Sequence, residues 1–464
     1  MNSQKEQSVL DALRAIKDPD LGKNIVELGF IKDLKVNHDS VSFAIELTTP
    51  ACPVRDQMKS QAEEAVLALP EFKKVDVKMT ARVRPSAGQK REALLPLVKN
   101  IIPVASGKGG VGKSTVSANL AVALAQMGAK VGLMDADVYG PSIPKMMGVT
   151  QAPKVLPENR VVPPEAHGVK IISMGFFVRP TEAVVWRGPM LHKTVQQFLG
   201  NVEWGELDYL IIDLPPGTGD IQLSICQSIP LTGAAIVSTP QDVALSVAEK
   251  AIIMFSRLNT KVLGLIENMS GFVCPRCGKV EDIFGSGGAE SYSQQNKIPF
   301  LGKIPLDTQI RKMSDSGNPI VIKSPESISG QAFRKIAQNL AAQVSIRNLQ
   351  GDSALGPVIQ NITIPHPSQV RIIWNDKHES LYSALQLRLA CRCAGCLDEM
   401  TGKKRIGAEA LPDKISLQRS EPVGEYAHRF YWSDNHSTGI YTFEYLRSLC
   451  PCFECSAKSK SEIL

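Results

Sequence analysis

The run 107-GKGGVGKS-114 constrains this chain more than any other feature, because it fits G-x-x-x-x-G-K-[ST] at every fixed position. It follows the apolar run 101-IIPVAS-106 and precedes a helical pattern with Val116, Leu120, Leu124 and Met127 on one face. Strand, glycine-rich turn and helix in that order make a phosphate-binding loop, in which the glycines let backbone N–H groups wrap the phosphates. Lys113 then reaches the β- and γ-phosphates of ATP, and the Ser114 hydroxyl binds Mg²⁺. Gly107, Lys108, Gly109, Gly110, Val111, Gly112 and Thr115 complete the expected nucleotide-binding set. Short apolar strands recur at 130–137, 208–214, 234–240 and 261–268, alternating with helix-length segments. The alternation predicts an α/β fold with a doubly wound, mostly parallel sheet covered by helices on both faces.

The 464 residues leave room for more than this one domain. Three blocks are expected. Residues 1–84 read as a small α/β module: a helical pattern through Val9, Leu10, Leu13 and Ile16 that stops at 18-DPD-20, strand-like runs at 30–36 and 41–47, a helix from Pro53 to about Leu69, and a strand at 73–79. Residues 98–348 carry the phosphate loop and close with a helix near 327–347. Residues 358–464 contain an internal repeat. Trp374, Asp376, His378, Tyr382, Leu387, Arg388, Cys391, Cys393 and Cys396 recur in the same order as Trp432, Asp434, His436, Tyr441, Leu446, Arg447, Cys450, Cys452 and Cys455. Two copies are too few for a solenoid, so pseudo-symmetry inside one small Cys/His domain is expected.

The net charge of +6 is spread along the chain without a Lys/Arg block, so no nucleic-acid partner is expected. No apolar run approaches a membrane span. The first sixteen residues have neither a secretory nor a transit-peptide pattern, and a cytoplasmic protein is expected. Eight of the ten cysteines fall in three tight clusters, which in a reducing compartment points to metal rather than disulfides. The pair in 272-FVCPRCGK-279, Cys274 and Cys277, supplies two thiolates where a tetrahedral metal or an iron–sulfur cluster wants four. It reads as a redox pair, as half a site completed by distant cysteines, or as half a site completed by a second copy of the chain. Cys391, Cys393 and Cys396 offer three thiolates, which one imidazole would complete.

Lys108, early in the phosphate loop, makes the chain resemble the deviant-Walker dimeric ATPases, in which such a lysine reaches across a dimer to the partner's nucleotide. That resemblance implies a homodimer, Asp137 in 135-DADVYGPS-142 acting on the attacking water, Asp213 in 213-DLPPGTGD-220 holding Mg²⁺ through water, and Asn268 reading adenine. The wording DADVYGPSIPKMMG, WRGPM (186–190), WGELDYLIIDLPPGTGD and ENMSGFVCPRCG resembles one branch more closely, the Mrp/ApbC-type iron–sulfur cluster carriers. In that branch the Cys-x-x-Cys holds a 4Fe–4S cluster between two subunits, here through Cys274 and Cys277, and hydrolysis is coupled to transfer. Apo iron–sulfur proteins and upstream assembly scaffolds are the partners implied. A positioning or partition ATPase, and an ATPase whose Cys-x-x-Cys holds structural zinc or cycles redox state, are the alternatives. The first block, through 18-DPDLG-22, 26-VELGFIKDL-34 and 48-TTPACPV-54, resembles a small cluster-assembly domain, with Cys52 as its candidate thiol. The last block resembles the zinc domain of γ-butyrobetaine hydroxylase. That resemblance makes His436 the fourth ligand to Cys391, Cys393 and Cys396, and pseudo-symmetry adds a mirror set of Cys450, Cys452, Cys455 and His378. The order of blocks resembles the plastid high-chlorophyll-fluorescence scaffolds of plants.

Overall fold

The computed structural model describes residues 2–455 except 87–94, 138–139, 178–198, 218, 228, 275, 351–358, 394, 398–403, 406, 408, 410, 413, 424–426 and 453–454. The WRGPM segment and part of both expected links therefore lie outside the described residues. The chain divides into two compact units, Met1–Leu349 and Gln350–Leu464.

The first unit is built on a nine-stranded sheet among the described residues. In spatial order it runs Val280–Glu281, Val262–Val273, Ala234–Ser238, Val98–Ala105, Leu207–Asp213, Val131–Asp135, Val169–Ser173 and Glu165–Ala166, with Phe300–Leu306 also paired to Val262–Val273. The two short edge strands Val280–Glu281 and Glu165–Ala166 pair antiparallel, and the other pairings are parallel. The central strands are buried over nearly their whole length, which is why they read as continuous apolar runs instead of alternating ones. Helix Lys113–Gln126 packs one face with Val116, Leu120 and Leu124, and Ile336, Leu340 and Val344 of helix Ile328–Gln350 join the same core.

The N-terminal module belongs to this unit but has its own core, including Val9, Leu13, Ile45, Met58, Val66 and Val77. Its sheet pairs Ile31–Asn37 antiparallel with Ser40–Leu47, and Ser40–Leu47 parallel with Lys74–Ala81. The first helix ends at Leu13, earlier than the pattern through Ile16 predicts. Ile16 instead exchanges backbone bonds outside the helix: its N–H donates to Leu13 O at 3.1 Å and its carbonyl accepts from Ile25 N–H at 3.0 Å. Asp18 follows with an Asx turn, accepting from the N–H groups of Asp20 and Leu21 at 2.9 Å each. Thr49 and Tyr209 share a buried 3.0 Å hydrogen bond that joins the module to the large sheet.

The second unit repeats one arrangement twice, a three-stranded antiparallel sheet followed by a short helix. The first copy is Ile359–His366, Gln369–Trp374, Glu379–Ser383 and helix Ala384–Leu389. The second is Leu417–Val423, Ala427–Trp432, Ile440–Thr442 and helix Phe443–Ser448. Both copies share one core, in which Trp374, Trp432, Tyr382 and Tyr441 are fully buried. Among the described residues no helix is long and apolar enough to cross a membrane.

Candidate functional site

The phosphate loop joins strand Val98–Ala105 to helix Lys113–Gln126, at the carboxyl edge of the sheet where open parallel sheets collect their ligands. Two of its glycines are demanded by geometry. Gly112 has φ +81°, and a Cβ there would come within 2.2 Å of Asn268 Nδ2. A Cβ on Gly107 would strike the Val247 carbonyl oxygen at 2.3 Å. Lys113 is buried and donates to Asp213 Oδ1 at 2.7 Å. Ser117, one helical turn after Lys113, donates to the same oxygen at 2.7 Å, while Asp213 Oδ2 is buried without a partner among the described residues. A buried carboxylate oxygen without a donor and a loop of open N–H groups suit a nucleotide with its cation. Ser114 and Thr115 open the helix beside Lys113, and Lys108 stands half-exposed in the loop, its carbonyl accepting from Ser106 Oγ at 3.0 Å.

Strand register brings the acidic residues together. Asp213 pairs with Asp135 across adjacent parallel strands, and both are fully buried. Burial first, and the facing Asp213 second, push the Asp135 carboxyl up to about 7. Asp135 accepts from Ser173 Oγ at 2.9 Å and from the N–H groups of Asp137, Ser142 and Ile143 at 3.1–3.2 Å. It therefore ties down the segment that carries Asp137, whose own carboxylate accepts from Gly140 N–H at 3.2 Å. The loop after Asp213 is anchored to the phosphate-loop strand by Gly217 N–H, which donates to Ser106 O at 3.1 Å.

Asn268 and Cys274 lie on one continuous path. The strand Val262–Val273 carries Asn268, whose amide donates to the phosphate-loop carbonyl of Val111 at 2.7 Å. The strand then pairs with Val280–Glu281 in a hairpin whose turn holds Cys274 and Cys277. Cys274 N–H donates to Lys279 O at 2.8 Å, and Gly278 N–H returns a bond to Cys274 O at 2.9 Å. Backbone N–H groups of Arg276 and Cys277 lower the Cys274 thiol below its ordinary value. Cys277 is exposed, as are Val280, Ile283 and Phe284 just beyond it. Glu267, one residue before Asn268, is buried and accepts from Gly287 and Ala289 N–H at 2.8 and 2.7 Å, which fixes the segment after the hairpin.

The second unit gathers two sets of candidate ligands, each within 4.8 Å: Cys391, Cys393, Cys396 with His436, and Cys450, Cys452, Cys455 with His378. Among the described residues no set of three or more such ligands includes Cys274 or Cys277. In the first set His436 Nε2 lies 3.3, 3.6 and 3.7 Å from the sulfurs of Cys391, Cys393 and Cys396. One ion with zinc-length bonds to three sulfurs and a nitrogen sets S···N edges at about 3.6 Å, so these donors fit a single tetrahedral ion. Arg388 Nη1 donates to Cys396 Sγ at 3.2 Å and Thr438 Oγ1 to Cys393 Sγ at 3.2 Å, outer contacts that the motif alone does not reveal. Cys52 is elsewhere, half-buried in the N-terminal module near Asp18 and Asp20, and burial pushes its thiol up to about 11.

Comparison with known proteins now decides the family. Residues 97–341 match the NUBPL iron-transfer P-loop NTPase model. The chain belongs to the iron-transfer P-loop NTPases. Two smaller regions of this NTPase match further models: residues 6–79 the iron–sulfur cluster assembly protein model and residues 365–447 the γ-butyrobetaine hydroxylase-like N-terminal model. The iron–sulfur cluster carrier protein of Deinococcus radiodurans is 49% identical over 343 residues, 74% of this NTPase and 96% of that protein. The chloroplastic Fe-S cluster assembly factor HCF101 of Arabidopsis thaliana is 40% identical over 439 residues, 93% of this chain and 80% of that one. A solved nucleotide-binding protein in complex with ADP from Archaeoglobus fulgidus is 45% identical, covering 47% of this chain and 87% of that one, with a TM-score of 0.43.

Proposed function

We propose that this P-loop NTPase is an ATP-hydrolysing carrier that holds a 4Fe–4S cluster between two copies of itself, through Cys274 and Cys277 of each, and passes it to apoproteins. The observation that carries the reading is the shared strand. Val262–Val273 presents Asn268 to the phosphate loop and leads, through an irregular stretch at Met269 and Gly271, into the hairpin of Cys274 and Cys277. A change in nucleotide state at the loop thus has a short covalent path to the thiolates. Two thiolates per chain on an exposed hairpin, flanked by exposed Val280, Ile283 and Phe284, favour completion of the ligand set by a second copy.

In the nucleotide step Lys113 leaves Asp213 for the β- and γ-phosphates, and its charge offsets theirs. Ser114 and Asp213 would hold Mg²⁺, which would supply positive charge to neutralise the phosphates. Asp137 orients the attacking water, Lys108 reaches the partner's nucleotide, and Asn268 contacts the adenine when it releases Val111 O. Cys391, Cys393, Cys396 and His436 would hold a structural zinc ion, because four protein ligands leave no open position. The three expected blocks, 1–84, 98–348 and 358–464, are kept as the domains of the carrier. With none of the ten cysteines in a disulfide, a reducing compartment, the cytoplasm, fits best.

Anaerobic reconstitution with iron and sulfide, followed by iron and sulfide analysis and sizing, tests the reading. It expects about four irons per dimer, lost in the Cys274→Ala, Cys277→Ala variant. Zinc bound at this pair, or iron undiminished by the double substitution, would sink it.

A further inference from the structure

The carrier reading leaves unused the last cysteine triad, the mirror of the first. Its donors converge as tightly: His378 Nε2 lies 3.3, 3.7 and 3.7 Å from the sulfurs of Cys450, Cys452 and Cys455. We propose that these four residues form a second zinc site, and that the two ions staple the two repeats reciprocally, with the second ion the more labile.

The site is the size of a single ion. Zinc bonds of about 2.3 Å to sulfur and 2.0–2.1 Å to nitrogen place S···N edges near 3.6 Å and S···S edges near 3.8 Å in a tetrahedron. The ligand atoms of this set all lie within 4.8 Å of one another. A four-iron cluster spreads its thiolates wider, because each iron carries its own sulfur ligand outward. The set therefore suits one mononuclear ion. Each of the three thiols gives up its proton to solvent as it becomes a thiolate ligand, and the neutral imidazole contributes a lone pair.

The two repeats are also reciprocal. Each histidine sits in the hairpin of one repeat and faces the triad that follows the helix of the other. The protein–protein bonds that accompany the ligands cross in the same way. Tyr382 OH donates to Leu446 O at 2.6 Å, and Tyr441 OH to Leu387 O at 2.8 Å. Arg388 pairs with Asp434 at 2.8 Å, and Arg447 with Asp376 at 2.8 Å. Both histidines are held by the same backbone device: His378 N–H donates to Asp376 Oδ1 at 3.0 Å and His436 N–H to Asp434 Oδ1 at 3.2 Å. A geometry repeated down to the backbone bond at each histidine is built for the same ligand twice.

The second site has its own outer support. Ser380 Oγ donates to Cys450 Sγ at 3.0 Å, and Trp374 Nε1 holds that hydroxyl at 2.8 Å. Cys455 N–H donates to Cys452 Sγ at 3.4 Å. Donors aimed at sulfur stabilise the thiolate form that a metal requires. Position 439 in the second repeat, which corresponds to Ser380, is glycine, and a Cβ there would press Cys391 Sγ at 2.7 Å. The two sites thus differ in detail. At the first, Cys391 and Cys396 are buried and the Arg388 guanidinium offsets the surplus negative charge of three thiolates on one dication. At the second, Cys450 is buried while His378, Cys452 and Cys455 are half-exposed. Solvent access to three of four ligands makes the second ion the first to leave.

The test uses the full chain with Cys274→Ala and Cys277→Ala, so that the hairpin contributes no metal, purified with zinc. Elemental analysis should find two zinc ions per chain, and a colorimetric chelator should remove them in two phases of equal amplitude, the faster by about tenfold or more. His378→Ala should leave one zinc and abolish the fast phase, while His378→Cys, a four-thiolate set, should restore two. One zinc per chain in the parent, or two surviving His378→Ala, overturns the proposal; the parent stoichiometry decides even where a variant does not fold.

Discussion

Two cysteine regions of this chain obey opposite rules. Around Cys391, Cys393 and Cys396 the protein closes its own ligand set with His436, supports it with Arg388 and Thr438, and buries two of the sulfurs. At Cys274 and Cys277 it offers two thiols on an exposed hairpin and adds no third ligand among the described residues. A closed set holds an ion as part of the fold, whereas an open half-set holds its cargo only while another molecule supplies the rest. In the proposed carrier, the closed set would hold metal that stabilises and the open pair metal that is delivered.

The largest expected effect breaks the contrast directly. Cys274→Ala with Cys277→Ala should reduce iron and sulfide after reconstitution to background and leave zinc unchanged, as read by elemental analysis; loss of zinc instead would mean the regions share ligands. Next comes coupling to the nucleotide. Lys113→Ala should lower ATP hydrolysis by about 10²-fold or more, since it removes a charge aimed at the transferred phosphoryl group, while reconstituted iron stays at the parent level. Equal loss of iron would place Lys113 in cluster binding instead.

A third prediction sharpens the comparison inside the repeat. Arg388 and Asp434 form a buried pair, and Arg447 and Asp376 an exposed one. Arg388→Met strands Asp434 and should cost about 3 kcal/mol, against under about 1 kcal/mol for Arg447→Met, measured on the urea transition of the second unit in the full chain. Equal costs would show that the repeats are energetically symmetric.

The smallest effect concerns thiols outside the closed sets. In apo protein near neutral pH, alkylation followed by mass spectrometry should modify Cys274 at least about tenfold faster than Cys52, because the thiolate is the reacting species. A thiol raised to about 11 is protonated below that pH, so Cys52 labelling should rise about tenfold per pH unit up to it. A flat Cys52 profile would contradict its burial.

Much of the fold was legible because its signals are local. The phosphate loop needs glycine at 107 and 112 for reasons confined to a few ångströms, and the buried parallel strands announce themselves as apolar runs. Strands Val169–Ser173 and Phe300–Leu306 were harder to read, since each is short and lacks a motif beside it. Ser173 and Glu267 carried no signal either, and Ser117 only its spacing. Ser117 sits one helical turn from Lys113, a spacing that in retrospect marks it. Ser173 acts across strands that pair from separate parts of the chain, and Glu267 reaches the start of helix Gly288–Gln295.

The chemistry on offer was written in residue type and spacing: a loop that binds phosphates, a two-thiolate turn, and a doubled set of three cysteines and one histidine. Tertiary structure decided which of these groups meet. Strand register sets Asp135 beside Asp213 and so raises its carboxyl to about 7, and one strand connects Asn268 to Cys274. The crossing of the repeats gives each triad the other repeat's histidine. Residue type and spacing are properties of a short segment, but the meeting of segments far apart in the chain depends on how the whole core packs.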